Sequence, residues 1–307
     1  MKIKTHARPA RDAQHTALAV DEVETGPGAS TRSSGEQMWQ APPLPDVSGF
    51  RPATAKPGEA ACFSPLQVQM GQGTPPDGAD FLTAQLQQIR NQTTGGEPVM
   101  VVFDLDNTLF DTRARTLQAA KSFDAHHNSQ WFSNLNLEDV QLDGEKTARQ
   151  MREPPLPEEV IQAFSDYWGE AFWTPDNLRH DHEMPETLRW AKAAQEAGAD
   201  VRYLTGRTAD FYDASLAQLR RAGLRVDESQ LCCKPSVDVA TAPFKAEVLR
   251  DWTDKAPIAW FLTEGLRDLS HVQTEMPALP TVWLDCSFED SATHKISAET
   301  PRLPACF

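Results

Sequence analysis

Residues 99–112 read VMVVFDLDNTLFDT, and this stretch decides the fold of the chain. Its first five residues form a short apolar run rich in β-branched side chains, which is typical of a buried strand. Two acidic residues, Asp104 and Asp106, follow directly. Polar residues just past the carboxyl end of a strand lie where parallel α/β sheets bind their ligands. We therefore expect a functional site at this end of the strand.

The rest of the chain from residue 98 alternates between short apolar runs and amphipathic helical patterns. Such alternation predicts an α/β protein with a Rossmann-like parallel sheet. Pro185 suits the first turn of a helix, whereas Gly198 and Gly223 suit helix ends. The predicted elements after the first strand are 185–197, 200–205, 209–222, 242–253, 258–262 and 281–284.

The N-terminal quarter has a different composition. Residues 1–80 hold 10 of the 23 prolines and 8 of the 16 glycines, too many breakers for a packed core. We predict a disordered Pro/Gly-rich region over 1–95, with a short amphipathic helix at 80–91 that either packs onto the following domain or binds a partner. The sequence identifies no protein partner for this arm. Residues 291–307 are expected to form a C-terminal tail.

Composition excludes several classes of function. The formal net charge of -15 disfavours nucleic acid and anionic lipid as partners. No run approaches the roughly 18 apolar residues of a membrane span, and the first residues lack a signal-peptide pattern. The five cysteines are odd in number and include an adjacent pair, so they indicate neither a disulfide framework nor a zinc site. We expect a cytoplasmic protein with reduced thiols.

The two carboxylates after the first strand predict a chemistry. Asp104 can act as a nucleophile, and Asp106 can protonate a leaving oxygen and then activate water. Two close carboxylates repel each other unless a divalent cation lies between them, which predicts Mg²⁺ as the cofactor.

The stretch FDLDNTLFDT resembles the first motif of the haloacid dehalogenase-like (HAD) phosphatase superfamily, Asp-x-Asp-x-Thr after an apolar strand. The resemblance implies that Asp104 attacks phosphorus and binds the metal, that the Asp106 backbone carbonyl also binds it, and that the Asp106 side chain is the general acid and base. Dehalogenases of the superfamily lack the second acid and its ATPases usually carry Thr there, so Asp106 favours phosphate-ester hydrolysis. Thr108 would support the loop, and Asp111 would cap the following turn.

The second and third motifs of the superfamily also have counterparts. Thr205, in RYLTGR, would hold a phosphoryl oxygen, and Arg207 would bind substrate or form a salt bridge on the rim. The third motif is a Lys that offsets charge on the transferred group. Lys245, at the start of a predicted helix, fits it better than Lys234, which lies in a predicted loop.

The fourth motif departs from the superfamily pattern. The usual Asp pair is replaced by Thr263 and Glu264, and Asp268 follows four residues later. We expect Glu264 to bind the metal, and Asp268 to bind a metal-held water or to replace the missing acid. The alternative is that Thr263 and Glu264 merely cap the next helix and the metal site is degenerate.

The spacing of the motifs locates an insertion. Between Asp106 and Thr205 lie 98 residues, whereas 39 separate Thr205 from Lys245. An insertion at this place resembles the small helical cap that covers the active site in the superfamily. The predicted cap is 112–182, with helices at 112–128 and 157–169, and the predicted core is 96–111 and 183–290.

Two groups of residues in the cap allow alternative interpretations. Trp131, Trp168 and Trp173 could line its inner face, although buried aromatic packing is the more common role. The cluster at 180–183, His-Asp-His-Glu, resembles a metal site in composition, but consecutive ligands in a loop have poor geometry. We interpret it as a hinge that returns to the core.

The sequence thus predicts a phosphatase that hydrolyses a small phosphate monoester. A phosphotransferase or phosphomutase of the same fold is the nearest alternative. A non-catalytic phospho-ligand or partner-binding protein with a degenerate metal site is another, because Thr263 replaces an acid. A phosphatase acting on nucleic-acid ends conflicts with the charge.

Overall fold

The computed structural model describes residues 76–151, 155–286 and 294–305. The disorder predicted for residues 1–75 falls outside these ranges. The helices are α1 Gly78–Thr94, α2 Arg113–His127, α3 Gly144–Gln150, α4 Glu158–Phe172, α5 Pro185–Glu196, α6 Tyr212–Arg221, α7 Thr241–Thr253 and α8 Leu266–Glu275. The strands are β1 Met100–Phe103, β2 Phe110–Asp111, β3 His182–Glu183, β4 Asp200–Thr208, β5 Leu231–Lys234, β6 Ile258–Thr263, β7 Thr281–Asp285 and β8 Arg302–Pro304.

Six strands form one sheet in the order β5-β4-β1-β6-β7-β8, and every pairing is parallel. The predicted α/β fold is therefore confirmed. Strand β1 lies between β4 and β6, so the carboxyl ends of these three strands adjoin. The residues that follow them in sequence are brought to one edge of the sheet, although about 100 residues of chain separate β1 from β4.

Both faces of the sheet are covered, which explains why β1 reads as a continuous apolar run. Val101 and Phe103 contribute to a core that includes residues of α1 and α5. Met100 and Val102 contribute to a second core that includes residues of α7. All four of these side chains are buried.

Helix α1 belongs to the core domain. Its apolar residues Phe81, Leu82, Leu86 and Ile89 are buried in the same cluster as β1. The predicted helix at 80–91 is present and longer, but the boundary of the disordered region at residue 95 is wrong. Composition placed the boundary too late, because the apolar face of α1 packs into the core although the sequence around it is polar.

The predicted C-terminal tail also contributes to the sheet. Strand β8 pairs in parallel with β7, and the Arg302 N–H donates to the Pro76 carbonyl at 3.0 Å. A strand of three residues has no periodicity that a sequence pattern could show. Gly78 lies against this strand, because a Cβ there would be 2.6 Å from the Arg302 carbonyl oxygen.

The helical insertion lies between β2 and β3, which pair with each other in an antiparallel two-stranded sheet. The insertion contains α2, α3 and α4 and packs around its own aromatic cluster. The ring of Phe123 contacts the rings of His127, Trp131, Phe132, Phe164 and Tyr167. Residues 182–183 form β3, so the His-Asp-His-Glu cluster leads from the insertion back to the core, as a hinge would.

Within the three described ranges, none of the helices is both long and apolar enough to cross a membrane.

Candidate active site

The loop after β1 turns back on itself, and its two carboxylates, Asp104 and Asp106, contact different neighbours. The Asp104 N–H donates to the Leu262 carbonyl of β6 at 3.0 Å, which anchors the loop to the sheet. Asn107 has a left-handed backbone with φ of 50°, a conformation that Asn tolerates better than most residues. Its side-chain oxygen accepts from the N–H and the hydroxyl of Thr112 at 3.1 and 2.9 Å.

Asp104 is buried and is held by two side chains on one carboxylate oxygen. Lys245 Nζ donates to Asp104 Oδ2, and the Thr263 hydroxyl donates to the same oxygen at 2.9 Å. Lys245 also donates to Asp268 Oδ2 at 2.6 Å. Lys234, the other sequence candidate, instead lies 3.4 Å from the Thr241 hydroxyl. The structure therefore places Lys245, and not Lys234, at Asp104.

Burial and the neighbouring charges both shift the pKa values of these groups. Burial raises the pKa of Asp104, and nearby Asp268 raises it further, against the opposing effect of Lys245. Burial and the Asp104 charge raise the pKa of Glu264 well above its usual range. Burial alone would lower the pKa of Lys245, but Asp104, Asp268 and Glu264 outweigh it and raise that pKa. The Lys245 ammonium therefore donates hydrogen bonds to Asp104 and Asp268 and also attracts the Glu264 carboxylate.

Glu264 is tied to the first loop through Thr108. The Thr108 hydroxyl donates to Glu264 Oε2 at 2.9 Å, and the Glu264 N–H lies 3.3 Å from Thr108 Oγ1. Thr108 is fully buried, as a residue that supports the loop should be. The N-cap residue of α8 is Gly265, whose N–H donates to the Thr263 hydroxyl at 3.2 Å. Thr263 therefore contacts both the helix start and Asp104.

We tested whether these residues fit a divalent cation. Among the described residues, no three His, Cys, Asp or Glu side chains converge as a ready set of metal ligands. The charge and the donor chemistry nevertheless fit, since Asp104, Glu264 and Asp268 are oxygen donors that share one ammonium. With all three carboxyl groups ionised, the described residues of this site would carry three negative charges against the one positive charge of Lys245.

Asp106 has different neighbours from Asp104. Arg207 Nη2 donates to Asp106 Oδ1 at 2.7 Å, and Arg115 Nη2 donates to the same oxygen at 2.9 Å. Burial alone would raise the pKa of Asp106, but the two guanidinium groups outweigh it and hold that pKa well below its usual range. The carboxylate form of Asp106 is therefore favoured.

Arg207 is not on the rim. Its side chain is fully buried, and the alternative of an exposed salt bridge is wrong. Its Nη1 donates to the Ser215 hydroxyl at 2.9 Å and to Gln218 Oε1 at 2.7 Å, both on α6. The apolar surroundings of strand β4 and helix α6 bury the guanidinium, and Asp106 supplies its charge partner.

Arg115 and Asp181 were missed by sequence reasoning. They lie on α2 and just before β3, 66 residues apart, and they pair with side chains that are fully buried. Nothing in the sequence of α2 marks Arg115 as a site residue, whereas Asp181 belongs to the His-Asp-His-Glu cluster at 180–183. Only the packing of the insertion against the core shows that both belong beside Asp106.

Thr205 lies at the same end of the sheet as Asp104. The register of β1 and β4 pairs Phe103, the last residue of β1, with Tyr203, so Thr205 lies two residues further along β4, near the level of the loop that begins at Asp104. Thr205 is fully buried, and its hydroxyl accepts from the Arg207 N–H at 3.2 Å.

The candidate cap tryptophans have different environments. Trp131 stacks on Phe123 at 5.7 Å, and Trp168 Nε1 donates to the Thr116 hydroxyl at 2.9 Å. Both are half-buried within the insertion. Trp173 is 45% exposed and meets the ring of Phe211, a core residue, edge-on at 6.0 Å. Of the three, Trp173 is the one placed where the insertion adjoins the core.

Asp111 caps the start of the insertion. Its Oδ1 accepts from the Arg113 N–H at 3.0 Å, and its Oδ2 pairs with the Arg113 guanidinium at 2.8 Å. The predicted structural role of Asp111 agrees with these contacts.

Neither a protein-family profile nor a curated protein sequence matches this chain. Among solved structures it is similar to a predicted phosphatase from Clostridium acetobutylicum, with 15% identity and a TM-score of 0.43 over 68% of this chain and 94% of that one. It is similar to a haloacid dehalogenase-like family hydrolase from Streptococcus pneumoniae, with 9% identity and a TM-score of 0.42 over the same shares. A structure described as a dehalogenase has 16% identity and a TM-score of 0.36 over 63% of this chain and 87% of its own.

Proposed function

We propose that this protein is a Mg²⁺-dependent phosphatase that hydrolyses a small phosphate monoester through a phosphoryl intermediate on Asp104. The observation that carries the proposal is the pair of carboxylates after β1. Asp104 is buried beside Lys245, whereas Asp106, two residues later, is held separately by Arg115 and Arg207. These different environments support a role as nucleophile for Asp104 and as proton carrier for Asp106.

In the first step a carboxylate oxygen of Asp104 attacks phosphorus, the bond between phosphorus and the leaving oxygen breaks, and Asp106 passes to that oxygen the proton that it takes from water in the second step of each cycle. Lys245 offsets the charge that Asp104 and the transferred group share. Thr205, from the adjacent strand, orients a phosphoryl oxygen through its hydroxyl, which has no charge of its own. The burial of Asp104 keeps competing water away from the nucleophile.

In the second step water attacks the phosphorus of the intermediate. Asp106 accepts a proton from that water, the bond between phosphorus and Asp104 breaks, and Asp104 is regenerated as a carboxylate. The two arginines favour the ionised form of Asp106, which is the form that accepts a proton.

The residues that would hold Mg²⁺ are Asp104, Glu264, Asp268 and, by resemblance, the backbone carbonyl of Asp106. Bound magnesium would polarise a phosphoryl oxygen and balance the excess negative charge. The support from this chain is the group of carboxyl oxygen donors around Lys245, whose burial and mutual repulsion raise the pKa values of Asp104 and Glu264. A divalent cation would stabilise their ionised forms.

Two other functions are alternatives to a phosphatase. A phosphotransferase or phosphomutase would use the same residues and deliver the phosphoryl group to a second hydroxyl. Product analysis with an added acceptor alcohol separates it from a hydrolase. A non-catalytic phospho-ligand-binding protein is favoured by Thr263, which stands where the superfamily has an acid. Such a protein would bind phosphate analogues without turning over any ester.

The direct test is hydrolysis of p-nitrophenyl phosphate with and without Mg²⁺ by the wild type and by Asp104→Asn. We expect activity in the wild type that a chelator abolishes, and none in the variant. Asp176→Asn, an exposed carboxylate of the insertion, is the matched control and should retain full activity. An Asp104→Asn variant as active as the wild type would refute the assigned nucleophile.

We also propose a cytoplasmic location and a small phosphorylated substrate rather than nucleic acid. The support is the net charge of -15, which opposes binding of a polyanion. Competition by oligonucleotides in the same assay tests the second point.

A further inference from the structure

Arg115 connects the helical insertion to Asp106 by means of a buried ion pair. Its Nε donates to Asp181 Oδ1 at 2.8 Å, and its Nη2 donates both to Asp181 Oδ2 and to Asp106 Oδ1. Its guanidinium also lies 4.3 Å from the ring centre of Phe172, on α4. A planar guanidinium with two partners and an aromatic neighbour has little freedom to move.

Asp181 is the common partner of this group. Besides Arg115, it accepts from Gln218 Nε2 at 2.9 Å and from Arg207 Nη2 at 3.3 Å. Its carboxylate is fully buried, as are the side chains of both arginines. Two cations therefore face two carboxylates, Asp181 and Asp106, and this balance makes the cluster a fixed ionic group rather than an empty anion site.

The two carboxylate oxygens of Asp106 accept different numbers of hydrogen bonds from the arginines of this cluster. Oδ1 accepts from Nη2 of Arg115 at 2.9 Å and from Nη2 and Nε of Arg207 at 2.7 and 3.2 Å. Among the described residues, Oδ2 accepts a hydrogen bond only from Nε of Arg207, at 3.1 Å, and it shares that donor with Oδ1. The side chain of Asp106 is 21% exposed, whereas both arginine side chains are fully buried. Oδ1 is thus occupied as an anchor, and Oδ2 retains capacity to accept a further hydrogen bond.

We propose that Arg115 and Asp181 are positioning residues for the second chemical step. They fix Oδ1 of Asp106 so that Oδ2 receives the proton of the water that attacks the phosphorylated Asp104. As the oxygen of water bonds to phosphorus, the phosphorus–Asp104 bond breaks and inorganic phosphate leaves. This inference rests on the proposed phosphatase function. It assigns to the insertion a role in hydrolysis of the intermediate, beyond covering the site.

With p-nitrophenyl phosphate as substrate, formation of the phosphoryl intermediate and its hydrolysis can be measured separately. p-Nitrophenolate is a good leaving group and departs without a proton, so formation of the intermediate from p-nitrophenyl phosphate needs little help from Asp106. Attack by water does need a base. A misplaced Asp106 should therefore slow the second step selectively, and misplacement by about 1 Å can cost about a hundredfold in rate.

The experiment compares Arg115→Lys and Asp181→Asn with the wild type in steady-state and stopped-flow hydrolysis of p-nitrophenyl phosphate with Mg²⁺. Lysine keeps the charge of Arg115 but cannot reach two carboxylates in a fixed fork. We expect kcat to fall about 10- to 100-fold in both variants and KM to fall with it, so that kcat/KM changes less than about threefold. A burst of p-nitrophenolate equal to the enzyme concentration should appear before the slow phase.

Arg149→Lys is the matched control. Arg149 is an arginine of the same insertion that pairs with Glu145 and Glu158, but its side chain is half exposed. Its substitution should leave kcat, KM and the absence of a burst as in the wild type.

The possible outcomes are distinguishable. Equal losses in kcat and kcat/KM without a burst, whether from lost folding or lower general activity, would show that the pair serves the fold alone and would overturn the inference. Wild-type protein without Mg²⁺-dependent turnover would instead refute the proposed function, and this inference with it. A burst in the two variants but not in Arg149→Lys would establish the positioning role.

Discussion

Lys245 donates a hydrogen bond to the Asp268 carboxylate at 2.6 Å and at the same time donates to Asp104. These two acids come from the ends of different elements, the loop after β1 and the first turn of α8. All three side chains are largely withdrawn from solvent. A single buried ammonium therefore holds the proposed nucleophile and a proposed metal ligand in one arrangement.

Removal of that ammonium should affect both activity and stability. In Lys245→Met we expect kcat/KM to fall at least about a hundredfold, since the charge of the transferred group loses its partner. The free energy of unfolding at pH 7 should fall by about 3–5 kcal/mol, because buried carboxylates are left without a cation. Denaturant unfolding and the p-nitrophenyl phosphate assay measure the two effects.

Lys234→Met is the control for this prediction. The Lys234 ammonium contacts the Thr241 hydroxyl and is not hydrogen-bonded to Asp104. Its substitution should change kcat/KM less than about twofold. A larger loss in Lys234→Met than in Lys245→Met would reverse the assignment of the two lysines.

The raised carboxyl pKa values predict a pH-dependent stability. The pKa of Glu264 is raised well above its ordinary 4.5 in the folded protein, so its favourable contribution is present at low pH. That contribution is lost as pH rises through the folded pKa. Gln does not ionise, so Glu264→Gln avoids this loss. With a chelator present, we expect the Tm of Glu264→Gln minus the Tm of the wild type to increase as the pH rises above 4.5. A Tm difference that stays constant with pH would contradict the shift.

Magnesium should stabilise the protein through the same residues. A ligand at about 100 times its Kd stabilises by about 2.7 kcal/mol, and the wild-type Tm should rise accordingly as Mg²⁺ is added. We expect a smaller rise in Asp268→Asn and in Glu264→Gln. Thermal unfolding across a Mg²⁺ titration measures it, and equal rises in all three proteins would exclude these side chains as ligands.

Thr263, at the end of β6, yields a further prediction. Its hydroxyl donates to Asp104 Oδ2 at 2.9 Å, so Thr263→Val should lower kcat about tenfold by removing one hydrogen bond to a charged group. Thr263→Ser keeps the donor and should retain most of the activity. Steady-state kinetics of both variants decide the point. If valine were tolerated as well as serine, the hydroxyl would have no part in catalysis.

The contact between α1 and β8 is testable by stability alone. In Gly78→Ala the new Cβ would approach the Arg302 carbonyl oxygen to 2.6 Å, and we expect a loss of about 1–3 kcal/mol. Gly169→Ala, in α4, meets nothing within 4 Å and should gain up to about 1 kcal/mol of helix propensity. Urea unfolding of the two variants compares them directly, and a neutral Gly78→Ala would mean that the close contact relaxes freely.

Much of the fold followed from local patterns. The run at 99–103 and the later apolar runs predicted the long parallel strands, because a strand buried on both faces must be apolar throughout. Helices α4 and α5, whose apolar residues recur with helical periodicity, lie within a few residues of their predicted bounds, and so does α2. Strand β8 and the short helix α3 were not found, because three to seven residues carry no readable period.

The sequence by itself determined the parallel α/β core, the insertion after the first motif and the identity of Asp104, Asp106, Thr205 and Lys245 as candidates. These depend on periodicity and on short motifs, which are properties of neighbouring residues. Only the packing of the chain shows that α1 belongs to the core and that Arg115 and Asp181 hold Asp106, and it agrees with the preference for Lys245 over Lys234. Those relationships join residues far apart in the chain, and the energy of a buried ion pair depends on where packing puts its partners.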